Sequence, residues 1–301
     1  MKIDELLEKF IKVEPIYKGS SKDKKYHVEN INGIHMFLRV SDVIEYNLKK
    51  TEYDILKSVY KLGVLVPQPL EFGLCDNGEK VYSLTSWLNG KDAKDILPYM
   101  SKKEQYILGL KASEVLHKIH TLPTLVNVEA WDNWFINKIQ KNIDFYNANF
   151  EKFSNGDLII NYLQNNRFLL ENRPQTLNHG DPKESNYMVM PDGQIGMIDF
   201  NANNHFNGDP WIELYSTNWG NEPNSYFCTG LIKGYFKGEP PNNFFKLFLY
   251  YLAYDALNDF CKSFENEHEK MDCKMHMERV LRWFNNLKNL KPLWYQEEIN
   301  F

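Results

Sequence analysis

At 301 residues the chain is roughly twice the commonest domain length, which excludes a short peptide module and points to one large domain or two lobes. Hydrophobic residues at 43% and charged residues at 25% exclude a disordered chain, and 35 basic against 40 acidic side chains leave a net charge of −5, with no basic field to draw nucleic acid. Cys75, Cys228, Cys261 and Cys273 form no C-x-x-C pair, the N-terminal MKIDELLEKFIKVEP lacks a signal-like apolar core, and no apolar run approaches the ~20 residues of a membrane helix. The expectation is a soluble cytoplasmic protein with reduced thiols and neither membrane nor nucleic acid as partner.

Residues 4–12 read as a short helix with Asp4 as N-cap. KYHVENI and GIHMFLRV then read as strands separated by the hairpin signal Asn32-Gly33. Leu48, Ile55, Leu56, Val59 and Leu62 follow helical spacing until Gly63. PLEFGL and KVYSLTSW, joined by Asp76-Asn77-Gly78, add two strands to the same sheet. Leu88-Asn89-Gly90 breaks the pattern, giving an N-lobe over 1–87 and a C-lobe over 88–301. Ser101 and Glu104 form a capping box that opens a helix to about His120. Helices are expected near 131–150 and 157–171, an extended segment at Thr176-Leu177-Asn178, loops and short strands over 178–210, and helices near 211–218, 224–236, 243–264 and 271–289.

The window His179-Gly180-Asp181-Pro182-Lys183-Glu184-Ser185-Asn186, followed by Ile198-Asp199-Phe200, places two carboxylates and an amide in loops beside strands. Phosphoryl transfer needs a carboxylate to take the proton of the attacking hydroxyl and oxygen ligands for Mg²⁺ on the nucleotide phosphates. Asp181, Asn186 and Asp199 supply that set, with the turn Asp192-Gly193 returning the chain to bring Asp199 back.

H-x-D-x-x-x-x-N followed by I-D-F resembles the signature of the protein-kinase-like fold, and the form His-Gly-Asp with a later Gly208-Asp209-Pro210 resembles its aminoglycoside phosphotransferase and choline kinase branch. The resemblance implies an α+β fold of two lobes: an antiparallel-sheet N-lobe with one main helix and a mainly helical C-lobe. It makes Asp181 the catalytic base, Asn186 and Asp199 the Mg²⁺ ligands, His179 a brace for the loop, and Asp209 a carboxylate holding the loop backbone. Lys183 stands where protein kinases carry a lysine that reaches the transferred phosphate. Arg39 in MFLRV takes the place of the usual strand lysine on the nucleotide phosphates, with Glu52 on the next helix as its ion-pair partner in the cleft. Gly19 and Ser20 fall in the nucleotide loop, and the Ser86 carbonyl and Leu88 amide would meet the purine edge with Thr85 behind it.

The implied reaction transfers the γ-phosphate of ATP or GTP to a hydroxyl of a small-molecule acceptor, first of all an aminoglycoside, which would make the protein an antibiotic-resistance enzyme. Choline, another amino alcohol, a sugar or a macrolide are alternative acceptors. A nucleotide-binding pseudokinase-like protein is the rival of another class, motivated by Arg39 and by Asp199-Phe200-Asn201 in place of Asp-Phe-Gly. A polycationic acceptor needs carboxylates, for which Asp255, Asp259, Glu213 and Glu222 are candidates with Trp219 and Tyr254 as walls; Asp255 and Asp259 share a helix face at i, i+4, where a cation between them would relieve their repulsion. His117-x-x-His120 and Cys273-x-x-His276 read as packed helix positions rather than metal sites. The oligomeric state is open between monomer and dimer.

Overall fold

Turn chemistry sets the first sheet. A computed structural model describes residues 2–19, 21–124, 128–202, 206–216, 222–264 and 270–301. The chain begins with α1 (Ile3–Leu7), shorter than expected, with Lys2 rather than Asp4 at its cap. Chain that was expected to continue this helix turns instead into strand β1 (Lys12–Ile16), where β-branched Val13 and Ile16 favour extension and Pro15 is tolerated because the strand lies at the sheet edge. Strands β2 (Lys24–Glu29) and β3 (His35–Asp42) follow. The connection between them is a three-residue loop, with Gly33 at φ 74° and the Asn30 side chain accepting from Asn32 N and Ile34 N. This loop pairs Lys25 with Arg39 and Val28 with Met36.

Helix α2 (Tyr46–Lys61) buries Ile55, Leu56 and Val59 and ends before Gly63 at φ 72°. Strands β4 (Pro69–Cys75) and β5 (Lys80–Ser86) are joined by Asp76, Asn77 and Gly78, all at positive φ. The antiparallel sheet runs β1-β2-β3-β5-β4. One face buries Leu6, Val28, Met36, Leu38, Val40, Cys75, Tyr82 and Leu84. Alternation along β3 therefore sends Phe37 and Arg39 to the other face.

Strand β6 (Lys91–Asp92) leads into α3 (Ala93–Ile96) and α4 (Lys102–Ile119), whose Ser101–Glu104 capping box is formed as expected. Then come α5 (Trp131–Ala148), α6 (Gly156–Asn165), β7 (Thr176–Leu177), β8 (Tyr187–Val189), β9 (Ile195–Met197) and β10 (Asn207–Gly208). The chain ends with α7 (Glu213–Ser216), α8 (Ser225–Phe236), α9 (Phe244–Lys262) and α10 (Lys270–Trp283).

The chain divides into two units, the first being Met1–Asp95, His179–Asp181 and Ser185–Phe206 and the second Ile96–Asn178, Pro182–Glu184 and Asn207–Phe301. The first unit thus runs past Trp87 and takes back a later stretch, because β6 pairs with β8 and β8 with β9 in a three-stranded sheet. In the second unit α9 is buried from Phe244 to Leu257, Lys246 excepted, against α5, α6 and α10. Its α4 and α8 pack so closely that a Cβ on Gly109 would strike the Phe227 carbonyl oxygen, and one on Gly230 the Tyr106 carbonyl oxygen. No helix among the described residues is long and apolar enough to cross a membrane, and all four cysteines are free thiols.

Candidate active site

The first unit gathers His179–Asp181, Asn186 and the stretch around Asp199. His179 is buried, with its ring 4.4 Å from that of Phe200. Its Nε2–H donates to the Ile198 carbonyl at 2.9 Å and its Nδ1 accepts from Asp181 N at 3.2 Å, an assignment that requires the neutral Nε2–H tautomer. His179 O accepts from Asn201 N at 3.0 Å. Gly180 sits at φ 87°, and a Cβ there would strike the Asn201 carbonyl oxygen, so only glycine admits this approach of the two loops. One imidazole therefore ties the stretch before Asp181 to the stretch around Asp199.

Asn186 is buried and donates from Nδ2 to the Asp181 carbonyl at 2.8 Å and to Asp181 Oδ2 at 3.1 Å. Ile198 N donates to Asn186 O at 3.0 Å, which sets Asn186 beside the Asp199 segment. With Nδ2 committed to Asp181, the Asn186 Oδ1 is left as the ligand atom. Asp199 has φ 64°, a left-handed conformation that disfavours a residue with a Cβ, and its side chain is 42% exposed. An amide oxygen and a carboxylate are hard donors suited to Mg²⁺, so the chemistry of the pair fits that ion.

Arg39 meets this group from β3. Its Nη2 donates to Asp199 Oδ1 at 2.5 Å, Nη1 lies 3.8 Å from Glu52 Oε2, and Nε lies 3.8 Å from Asp23 Oδ2. Lys49 stands closer to Glu52 than Arg39 does, at 3.4 Å, and reaches Asp23 at 3.3 Å. The expected Arg39–Glu52 pair is thus part of a wider network, and the short bond of Arg39 goes to Asp199. Partial burial disfavours the Asp199 charge, but Arg39, through its charge and hydrogen bond, overrides this with help from Lys25 and holds the carboxyl below its ordinary range. Glu52 moves the other way: burial raises it against the opposing charges of Lys49 and Arg39. Asp23 and Lys25 fall in the expected nucleotide loop, Lys18 to Lys25, and Lys49 beside Glu52, but sequence alone assigned none of the three a role of its own. The i, i+3 spacing of Lys49 and Glu52 on α2 was the available signal for Lys49.

Of the nucleotide-loop residues, Gly19 sits at φ 99° and Ser20 lies outside the described residues. Lys18, in the same loop, pairs with Asp92 and Asp95. Ser86 ends β5, its N donating to Gln68 O at 2.9 Å and its Oγ accepting from Gln68 N at 2.8 Å. Leu88 O accepts from Gly90 N at 3.0 Å. Thr85 Oγ1 is buried with no hydrogen-bond partner among the described residues.

The remaining candidates belong to the second unit. Lys183 is half-buried, and its neighbour Glu184 accepts from Asn224 Nδ2 with both oxygens, at 2.9 and 2.8 Å. Asp209 was expected to hold the catalytic-loop backbone. Its carboxylate instead accepts a bidentate pair from Arg173 at 2.6 and 2.9 Å, the Tyr251 hydroxyl at 2.6 Å and Trp211 N at 3.0 Å. Glu213 is buried on His120, at 2.9 Å, so it is not exposed to an acceptor as expected. Glu222 binds Arg282 and accepts from Trp283 Nε1 at 3.1 Å. Asp255 and Asp259 do share a face, but the group beside them comes from the protein: His276 Nδ1 lies 2.8 Å from Asp259 Oδ2, and the ligand atoms of all three residues lie within 4.8 Å of one another. Burial opposes the His276 charge, yet the Asp259 hydrogen bond and the Asp255 and Asp259 charges raise its pKa. Tyr254 is buried on α9 near this pair, and Trp219 lies outside the described residues.

Residues 12–241 match a phosphotransferase enzyme family. No curated protein matches the chain. Among solved structures, the chain is similar to the aminoglycoside phosphotransferase APH(2'')-Ib in its ADP-bound form, with 15% identity, TM-score 0.65 and coverage of 92% of this chain and 96% of that one. It is similar to a choline/ethanolamine kinase family protein from Mesorhizobium loti, at 14% identity, TM-score 0.60 and 96% and 98% coverage. A fructosamine-3-kinase homologue from Haemophilus somnus gives 16%, 0.62, and 93% and 97%.

Proposed function

The chain belongs to the phosphotransferase enzyme family and is a phosphotransferase with a hydroxyl acceptor, and on that premise we propose that it moves the γ-phosphoryl group of ATP or GTP to a hydroxyl of a small molecule, first of all an aminoglycoside. The observation that carries the reading is the bonding of Asn186 to Asp181 in the unit where Arg39 bonds Asp199. Asn186 thereby orients the Asp181 carboxylate, a group suited to receive a proton.

Asp181 takes the acceptor's hydroxyl proton as the acceptor oxygen bonds to the γ-phosphorus and the bond to the β,γ-bridging oxygen breaks, releasing the nucleoside diphosphate. Asn186 and Asp199 would hold Mg²⁺, which when bound neutralises charge on the phosphates. Arg39, held by Asp199, Glu52 and Asp23, presents its guanidinium to the phosphate chain, Gly19 and Ser20 belong to the loop over it, and Ser86 and Leu88 offer backbone groups to the purine. Lys183 neutralises the transferred group, while His179 supports the loops. Free thiols and a net charge of −5 support a cytoplasmic setting without nucleic acid or membrane as partner.

The aminoglycoside reading draws on neighbours solved with streptomycin and ATP and with gentamicin. Of the acceptor carboxylates, Asp255 and Asp259 keep this role only if an acceptor ammonium displaces or joins His276. The test is a panel of aminoglycosides, choline, ethanolamine, fructosamines, neutral sugars and macrolides, each with ATP and with GTP, scored by nucleoside diphosphate release and product mass. Aminoglycoside phosphorylation is the expected outcome. Turnover of another acceptor would reassign the substrate, and nucleotide binding without any turnover would favour the pseudokinase-like alternative.

A further inference from the structure

Lys25 stands directly across from Arg39 in the β2–β3 register, so both cations occupy the same face of the sheet, away from the apolar core. Like charges placed opposite one another on a sheet destabilise the pairing unless something between them compensates. Arg39 has Asp199, Glu52 and Asp23. Lys25 has no carboxylate within 4.0 Å among the described residues; its ammonium donates only to the Lys18 carbonyl at 3.3 Å. Burial, with the Arg39 charge next, pushes the Lys25 ammonium below its ordinary pKa, against the pull of Asp199 and Asp23. A half-buried cation under that stress is stabilised by an added anion.

The ammonium lies against the loop backbone. Lys25 Nζ lies 2.7 Å from where a Cβ on Gly19 would be, and Gly19 is at φ 99°. Gly19 turns the chain at a positive φ, and the Lys25 amine lies against the backbone there. A glycine-containing loop between two strands, with an under-paired ammonium beneath it and a guanidinium opposite, is a seat for a chain of phosphates.

We propose that Lys25 is a second phosphate-binding cation, which grips the phosphate chain of the nucleoside triphosphate from β2 while Arg39, tied to three carboxylates, grips it from β3; this rests on the nucleotide reading above. Arg39 is the more constrained of the two, because part of its fork is taken by Asp199. Lys25 supplies the charge that the replacement of lysine by arginine on β3 has partly withdrawn into the protein.

Titration calorimetry with Mg²⁺ and ATP, ADP or adenosine on the full chain tests this. K25Q is expected to weaken ATP about tenfold or more, the scale of a charge-assisted hydrogen bond, and to leave adenosine within about twofold. K25R is expected to recover most of the ATP affinity, and K24Q, which removes an exposed charge from the opposite face, to change it by less than about twofold. A second readout needs no variant: ATP should protect the Lys25 amine of the wild-type chain from acetylation, followed by mass spectrometry. ATP affinity unchanged in K25Q, an equal loss in K24Q, or absence of protection would overturn the proposal and leave the nucleotide reading standing. Failure of the wild type to bind ATP or GTP would overturn both.

Discussion

Asp199 is held at φ 64° between a guanidinium on its side chain and the loop bonds of His179 on either side of its backbone. Such a conformation costs on the order of 1–2 kcal/mol for a residue with a Cβ, so the surrounding bonds over-determine it. Asp199→Asn keeps the shape and removes the charge that pairs with Arg39; it is expected to abolish Mg²⁺-dependent nucleotide binding, measured calorimetrically with and without the metal. Asp181→Ala is expected to preserve nucleotide binding while lowering kcat by about 10²-fold or more, read in a steady-state assay with the acceptor that the panel identifies. At this scale spacing was enough to single out Asp181, Asn186 and Asp199 as residues that the fold brings into one unit. The sequence was illegible where a one-residue register decides the neighbour. Asn32-Gly33 read as a two-residue turn would set Tyr26 across from Arg39, whereas the three-residue loop that forms brings Lys25 there. Asp255 and Asp259 were correctly placed on one helix face, but His276 comes from α10, a contact that no local pattern encodes.

Between elements, two contacts make definite claims on stability. Gly109 and Gly230 let α4 and α8 approach until backbone meets backbone, and a carbonyl oxygen cannot rotate aside as a side chain can. Gly109→Ala is therefore expected to destabilise by about 1–3 kcal/mol in urea unfolding, despite the gain in helix propensity. The α9–α10 contact is pH-dependent. The pKa of His276 is raised above the unfolded value of 6.5 by Asp259 and Asp255, against burial and Arg279, so its contribution is fully present below that value and is lost as pH rises through the folded one. His276→Gln is expected to lower the melting temperature more at pH 6 than at pH 9; an equal loss at both would show that the imidazole packs without charge. The helices themselves were readable from periodicity, and α4 from its capping box. Strands β1 and β6 were not, since five and two residues carry too little pattern.

For the molecule as a whole, the expected break at 88–90 marks a change of composition, yet the first unit extends to Asp95 and takes in Ser185–Phe206. Composition can locate where strands give way to helices but cannot foresee that β6 pairs with β8. The consequence concerns the order of events on the ribosome. At about 5–20 residues per second, the β8–β9 strands and Asp199 emerge roughly 5–20 s after β6, so until then the nascent first unit lacks two strands of its three-stranded sheet and the carboxylate that holds Arg39. Arrested nascent chains that expose only the first 100 or so residues should remain protease-sensitive and fail to bind nucleotide, whereas chains long enough to clear Phe206 from the exit tunnel should gain protection over the β1–β5 segment. Every burst of synthesis would therefore pass through an interval in which β6 waits without its partner β8 and is open to chaperones, and slowing elongation between residues 96 and 178 should lengthen that interval and lower the yield of folded enzyme.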